Sequence, residues 1–190
     1  ARENKWWHRL PVAFTDDCLA LLLPSVGCLM FGIGTQCGGH IDYSTVAGHK
    51  WVRYSGARYW VPGMITVGKD LDGTNLVVGR AMHQGDMLPA KAKPEHGVAY
   101  VCHNGAEHMK HDFEVRSITD FKWVRSGHGH VPGDAVEAGR TSNGEILYVG
   151  RTYHNGVPTV GKIHRSHGVL YIPYDGQEIP YRDYEVLVQN

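Results

Sequence analysis

The chain has 190 residues, enough for one ordinary domain or two small ones. Its 19 Lys+Arg balance 19 Asp+Glu, and a formal net charge of zero argues against a nucleic-acid binder relying on a broad basic field. Hydrophobic residues at 42% and charged residues at 20% exclude a disordered chain.

In chain order, residues 1–50 come first and read as an N-terminal extension. Cys18 to Ile33 forms an apolar run of 16 residues, broken by Pro24 and Gly27. A membrane span needs about 20 apolar residues, so no stable span is expected. Asp16 and Asp17 separate the basic Arg2, Lys5 and Arg9 from this run, and no A-x-A site follows, which is a poor match to a signal peptide. Secretion would need residues 1–33 to contain such a segment. Cys18, Cys28 and Cys37 lie here, Cys102 stands alone, and no CxxC occurs. That excludes zinc-ribbon and thioredoxin readings and favours a reduced, cytoplasmic protein. The sequence begins at Ala1 and not at Met, as a fragment or a processed product does.

The remainder reads as a duplicated unit. Trp51-Val52-Arg53 recurs as Trp123-Val124-Arg125, and Val61-Pro62-Gly63 as Val131-Pro132-Gly133. Val78-Gly79-Arg80 recurs as Val149-Gly150-Arg151, Lys91 as Lys162, and Asp112-Phe113-Glu114-Val115 as Asp183-Tyr184-Glu185-Val186. From Gly79 onward the copies lie 71 residues apart. This spacing places one unit at 51–120 and a second at 121–190.

Each unit carries signals for short strands. Asn75–Val78 and Ile146–Val149 follow the hairpin dipeptides Asp72-Gly73 and Asn143-Gly144. Val98–Val101 and Val169–Ile172 precede Asn104-Gly105 and Asp175-Gly176, and Tyr184–Val188 reads as a closing strand. The 24 glycines suit many tight turns. No helical apolar stripe stands out from residue 51 onward. The expectation is an all-β chain with four or five strands per unit. The units should pack about a pseudo-two-fold axis, because one 70-residue sheet buries too little apolar surface alone. Trp51 and Trp123 start strands and are expected in the core. Glu107 and Glu178 follow glycine turns, where they can cap backbone N–H groups across the interface between units or meet a ligand.

The ordered pattern W-V, V-P-G, D-G/N-G, V-G-R, G-K, G-x-E and Y-E-V-L resembles the DM9 repeat, in two tandem copies covering about 140 of 190 residues. The family includes a mannose-binding oyster lectin, insect proteins linked to parasite response and the front half of natterin-like toxins. The resemblance implies a β-sandwich-like domain whose repeats exchange strands, with a sugar pocket at each repeat. It also implies sugar contacts through an Asp and a Lys, which fall here on Asp70 and Lys91. Asp86 is a secondary candidate. In the second copy Thr141 stands at the Asp70 position, Val157 opposite Asp86, and Lys162 is kept. One competent pocket and one altered pocket follow from that.

The 13 histidines include His103, His108 and His111 in one group, His128 with His130, and His164 with His167. None has the spacing context of a catalytic zinc helix. Scattered surface histidines are expected, with no metal and no cofactor. No G-x-S-x-G, Cys-His signature or P-loop occurs, so no enzyme is expected. The reading is a carbohydrate-recognition protein for mannose-type glycans or microbial surface polysaccharide, acting in innate recognition and pairing as a homodimer. The alternative is a protein-interaction or trafficking module on the same fold. A natterin-like toxin half would call for a long amphipathic pore module, which these residues do not contain.

Overall fold

Strands dominate because the chain alternates short β-prone runs with glycine turns. The computed structural model describes residues 50–55 and 60–190, all within one unit, Ile41–Asn190. The apolar run and the three early cysteines lie outside the described residues. The first half holds β1 (Lys50–Ser55), β2 (Thr66–Lys69), β3 (Asn75–His83), β4 (Asp86–Lys93), β5 (Val98–His103), β6 (Ala106–Lys110) and β7 (Asp112–Ser117). The second holds β8 (Phe121–Gly127), β9 (Glu137–Arg140), β10 (Ile146–His154), β11 (Val157–His164), β12 (Val169–Tyr174), β13 (Gln177–Tyr181) and β14 (Asp183–Gln189). The protein is all-β, and its described residues hold seven strands in each half, not the four or five expected, with a single 3-10 turn after β4 and after β11. Among the described residues no helix is long and apolar enough to cross a membrane.

The strands form one antiparallel sheet in the order β1-β7-β3-β4-β5-β6-β13-β12-β11-β10-β14-β8, with β2 beside β3 and β9 beside β10. The order reads the same from either end, so the β6–β13 junction sits where a pseudo-two-fold axis would pass. Pairing crosses between halves at that junction alone among the described strands, through Gln177 and Ala106. Whole-strand exchange is therefore not what joins the halves. Each closing strand returns to its own half, as β7 does between β1 and β3. The halves meet instead by folding the sheet over, with β4 against β9 and β11, and β2 against β11.

Tight turns set the register. Asn104 and Asp175 adopt φ of 50° and 49°, each followed by a glycine with positive φ, as two-residue hairpins between right-twisted strands require. Three apolar clusters fill the interior. One belongs mainly to the first half around Tyr54, Val77, Leu88 and Phe113, and one to the second around Ile163, Leu170 and Val186. The middle cluster combines Ile65, Leu76 and Val78 with Val136, Val149, Val160 and Leu187, so it draws on both halves. Trp51 and Trp123 pack partly buried against it. Arg80 lies 4.5 Å over the Trp51 ring and Arg151 lies 4.4 Å over Trp123, so these rings face guanidinium groups.

Candidate functional site

Two related constellations flank the β6–β13 junction, each built on a buried lysine. β11 carries Lys162, whose ammonium donates to the Cys102 carbonyl at 2.8 Å and pairs with Glu178 Oε1 at 2.8 Å. β4 carries Lys91, which donates to the Pro173 carbonyl at 2.9 Å and pairs with Glu107 Oε1 at 3.3 Å. Each lysine thus reaches from its own half to a carbonyl of the other. The glutamates cross as well. Glu178 Oε2 accepts the Gly105 N–H at 2.7 Å, and Glu107 Oε2 accepts the Gly176 N–H at 2.9 Å. Tyr171 lies beneath Lys162 at 5.5 Å, and Tyr100 beneath Lys91 at 5.2 Å. Glu107 and Glu178 therefore cap turns across the junction and hold the lysines too.

A pocket of about 360 Å³ opens beside Lys162, within the range of small-ligand sites. The second half lines it with the Thr141-Ser142-Asn143 turn, Lys162, His164, His167, Tyr171 and Glu178. The first half adds Gln84, Asp86, His103 and Asn104. Asp86 Oδ1 accepts the Ser142 N–H at 2.6 Å, which ties the β3–β4 turn to the β9–β10 turn. Three of the five sequence candidates, Asp86, Thr141 and Lys162, therefore share this pocket. Asp86 joins the Lys162 side and not Asp70 and Lys91 of its own repeat. The pocket expected to lack a carboxylate has two, Asp86 and Glu178.

Asp70 and Lys91 lie on the other side of the junction. Asp70 Oδ2 pairs with Lys93 at 3.0 Å, and Asp72 pairs with the same ammonium at 2.7 Å. Burial works to raise the Asp70 carboxyl, yet the Lys93 and Leu71 hydrogen bonds outweigh it and leave it below the usual range. Lys93 is raised despite its burial, through the same two carboxylates. Asp70 and Asp72 thus share one lysine, which engages an oxygen of each. At the position matching Lys93 the second half has His164, near Glu145 Oε1 at 3.3 Å and stacked on His167 with centroids 3.7 Å apart. Burial, then the neighbouring His167, lower the His164 pKa. Cys102 is buried, and burial pushes its thiol strongly up, so it is inert as a thiolate.

The DM9 repeat family matches residues 70–181, more than half of the chain. The chain belongs to that family. In sequence, this DM9 protein is 37% identical over 74 residues to natterin-3 of Thalassophryne nattereri, covering 39% of this chain and 18% of that protein. It is 28% identical over 152 residues to natterin-4 of the same fish, covering 78% of this chain and 36% of the relative. It thus spans less than a fifth of natterin-3 and little more than a third of natterin-4. In structure it is similar to the nematode sperm cell motility protein MFP2B, with a TM-score of 0.50 and 10% identity over 75% of this chain and 44% of that one. That likeness is one of fold. Within the DM9 chain, the residues that sequence reading missed are Gln84, His103, Asn104 and Asn143. Gln84, Asn104 and Asn143 sit on hairpin turns and His103 ends β5 just before one, and nothing local marks a turn that faces the other half.

Proposed function

We propose that this DM9 protein recognises carbohydrate of the mannose type at the pocket between Asp86, Thr141 and Lys162. The observation that carries this reading is the composition of one concave site: carboxylates, an ammonium, amides and a hydroxyl around the Tyr171 ring. A carboxylate accepts from neighbouring sugar hydroxyls, an ammonium donates to a ring or hydroxyl oxygen, and such charge-assisted bonds exceed neutral ones in strength. Thr141 and Asn143 stand where the other half has Asp70 and Asp72, so no second lysine is needed here to offset them. The constellation around Lys91 is the weaker candidate, because Lys93 already engages both of its turn carboxylates. In an innate-recognition role one modest site per chain would act through avidity, for which a homodimer suffices.

Calorimetric titration with a mannose oligosaccharide tests the assignment. Asp86→Ala should weaken binding roughly tenfold or more, the usual effect of losing a hydrogen bond to a charged group. Asp70→Ala should leave it nearly unchanged. The reverse pattern would move the site to Lys91. The second reading is a protein-interaction module on the same fold. A silent glycan array with the full chain would favour that reading instead.

A further inference from the structure

We propose that His83, His103 and His108 form a binding site for one divalent zinc-class ion, beside the pocket and sharing Asp86 with it. Each ring offers one nitrogen, and these nitrogens all lie within 4.8 Å of one another. Tetrahedral coordination at the usual zinc–nitrogen length brings ligand nitrogens to about 3.4 Å apart. Small ring rotations close that difference.

One hydrogen bond and one ion-pair contact already select two of the ligand atoms. His108 Nε2 lies 3.2 Å from the His103 carbonyl, which leaves Nδ1 as the lone-pair nitrogen. His103 Nε2 lies 3.5 Å from Asp86 Oδ2, which again leaves Nδ1. Metal-bound histidines ordinarily show this arrangement, the outer nitrogen held by a carbonyl or a carboxylate. His103 Nδ1 and His83 Nε2 are moreover buried with no hydrogen-bond partner. Buried polar atoms of that kind are rare and call for an explanation, and an ion accepting both lone pairs supplies one.

The scaffold is rigid enough to hold such a site. His83 ends β3, His103 ends β5 and His108 lies on β6. The β5–β6 hairpin pairs His103 with Ala106 and Val101 with His108, which keeps the two rings on neighbouring positions. His83 stacks on His108 with centroids 4.0 Å apart and meets His103 at 5.2 Å. The other half serves as an internal comparison. It places His154, Tyr174 and Ile179 at the matching positions, and there His154 Nδ1 meets the Tyr181 hydroxyl at 2.5 Å. The fold therefore does not need the trio. His111, beside His108 in sequence, is not part of the group. Three imidazoles without a carboxylate in the first shell favour zinc, copper or nickel over calcium or magnesium, and three protein ligands leave a fourth position open.

The test is calorimetric zinc titration of the full chain after chelator treatment, with cobalt absorption as the readout of geometry. Wild type should bind one ion with micromolar or tighter affinity and show the intense visible bands of tetrahedral cobalt. His108→Gln should weaken zinc binding about 100-fold or more and remove those bands. Asp86→Asn should weaken it about tenfold, as outer-shell changes do. His154→Gln, His111→Gln and His164→Gln should leave it unchanged. Zinc should raise the melting temperature of wild type and not that of His108→Gln, which separates loss of the site from loss of the fold. No zinc binding by wild type, or equal binding by His108→Gln and wild type, overturns the proposal.

Discussion

Lys162 and Glu178 are only 8% and 9% exposed at the side chain, and they meet at 2.8 Å with Cys102 and Gly105 supplying the remaining polar contacts. Burial acts to raise the Glu178 carboxyl, but the Lys162 and Gly105 hydrogen bonds hold it below its ordinary value. Glu145 is likewise lowered, its burial outweighed by the Ser166 backbone and hydroxyl. His164 is lowered by burial and by His167, with Lys162 adding to that and Glu145 and Glu178 opposing it. All three groups have a folded pKa below the unfolded one, so in the interval between them the unfolded chain binds more protons and stability rises with pH. The urea midpoint should therefore fall as pH drops from about 7 to about 5, where histidine titrates, and fall further below about 4.5. His164→Gln should shrink the upper part of that loss and keep the lower part, and an unchanged upper part would remove His164 from the account. Asp86 and Lys162 were legible from the DM9 pattern, but their meeting was not. It depends on contacts between positions 56 or more residues apart, such as Asp86 with Ser142. The histidine group fails for a related reason. Sequence neighbourhood suggests His103, His108 and His111, whereas His111 lies past the end of β6 and β3 delivers His83 from across the sheet.

Elements reach their places through close backbone approach as much as through side-chain packing. A Cβ on Gly139 in β9 would lie 2.0 Å from the Met87 carbonyl oxygen in β4, and one on Gly68 in β2 would lie 2.2 Å from Pro158 in β11. These two glycines occupy matching positions in the halves, and they let the folded-over sheet close. Gly139→Ala should destabilise the protein by about 1–3 kcal/mol, since backbone cannot yield as a flexible side chain does. Because Met87 follows Asp86, the same substitution should also weaken glycan binding by displacing the Ser142 contact. Gly133→Ala is the control. Nothing lies within 4 Å of a Cβ there, so its thermal midpoint should hardly move. The starts of β3 and β10, most of β5 and β12, β14 and the glycine turns were readable from β-prone runs and Asn-Gly or Asp-Gly pairs, whereas β4 and β11, eight residues each, carry no such run. Four short strands were not readable either. β2 and β9 have four residues each, and β6 and β13 are polar runs, AEHMK and QEIPY, without apolar alternation. Their pairing comes from the neighbouring hairpin strand, which local sequence does not report.

For the molecule as a whole, the middle apolar cluster decides how the two halves behave. Leu187 is fully buried there among Val136, Val149 and Val160 of its own half and Ile65, Leu76 and Val78 of the other. Either half alone would expose one side of that cluster, and a domain of some 70 residues has little apolar burial to spare. Residues 121–190 expressed alone should therefore show no cooperative thermal transition, while residues 50–190 should show one. Leu187→Ala in the full chain should lower stability by about 2–5 kcal/mol, the usual cost of emptying a buried leucine site. Trp51 and Trp123 pack on the same cluster from opposite halves, so each reports on it when the other and Trp6, Trp7 and Trp60 are all replaced by Phe. Both reporters should lose their folded fluorescence at one urea concentration, and Leu187→Ala should shift the two together. Two separate midpoints would mean that the flanking clusters each sustain a half and that the shared cluster is a docking interface. In that case the lysines crossing the β6–β13 junction would form only after the halves had folded, and the pocket beside Lys162 would open before either half melts.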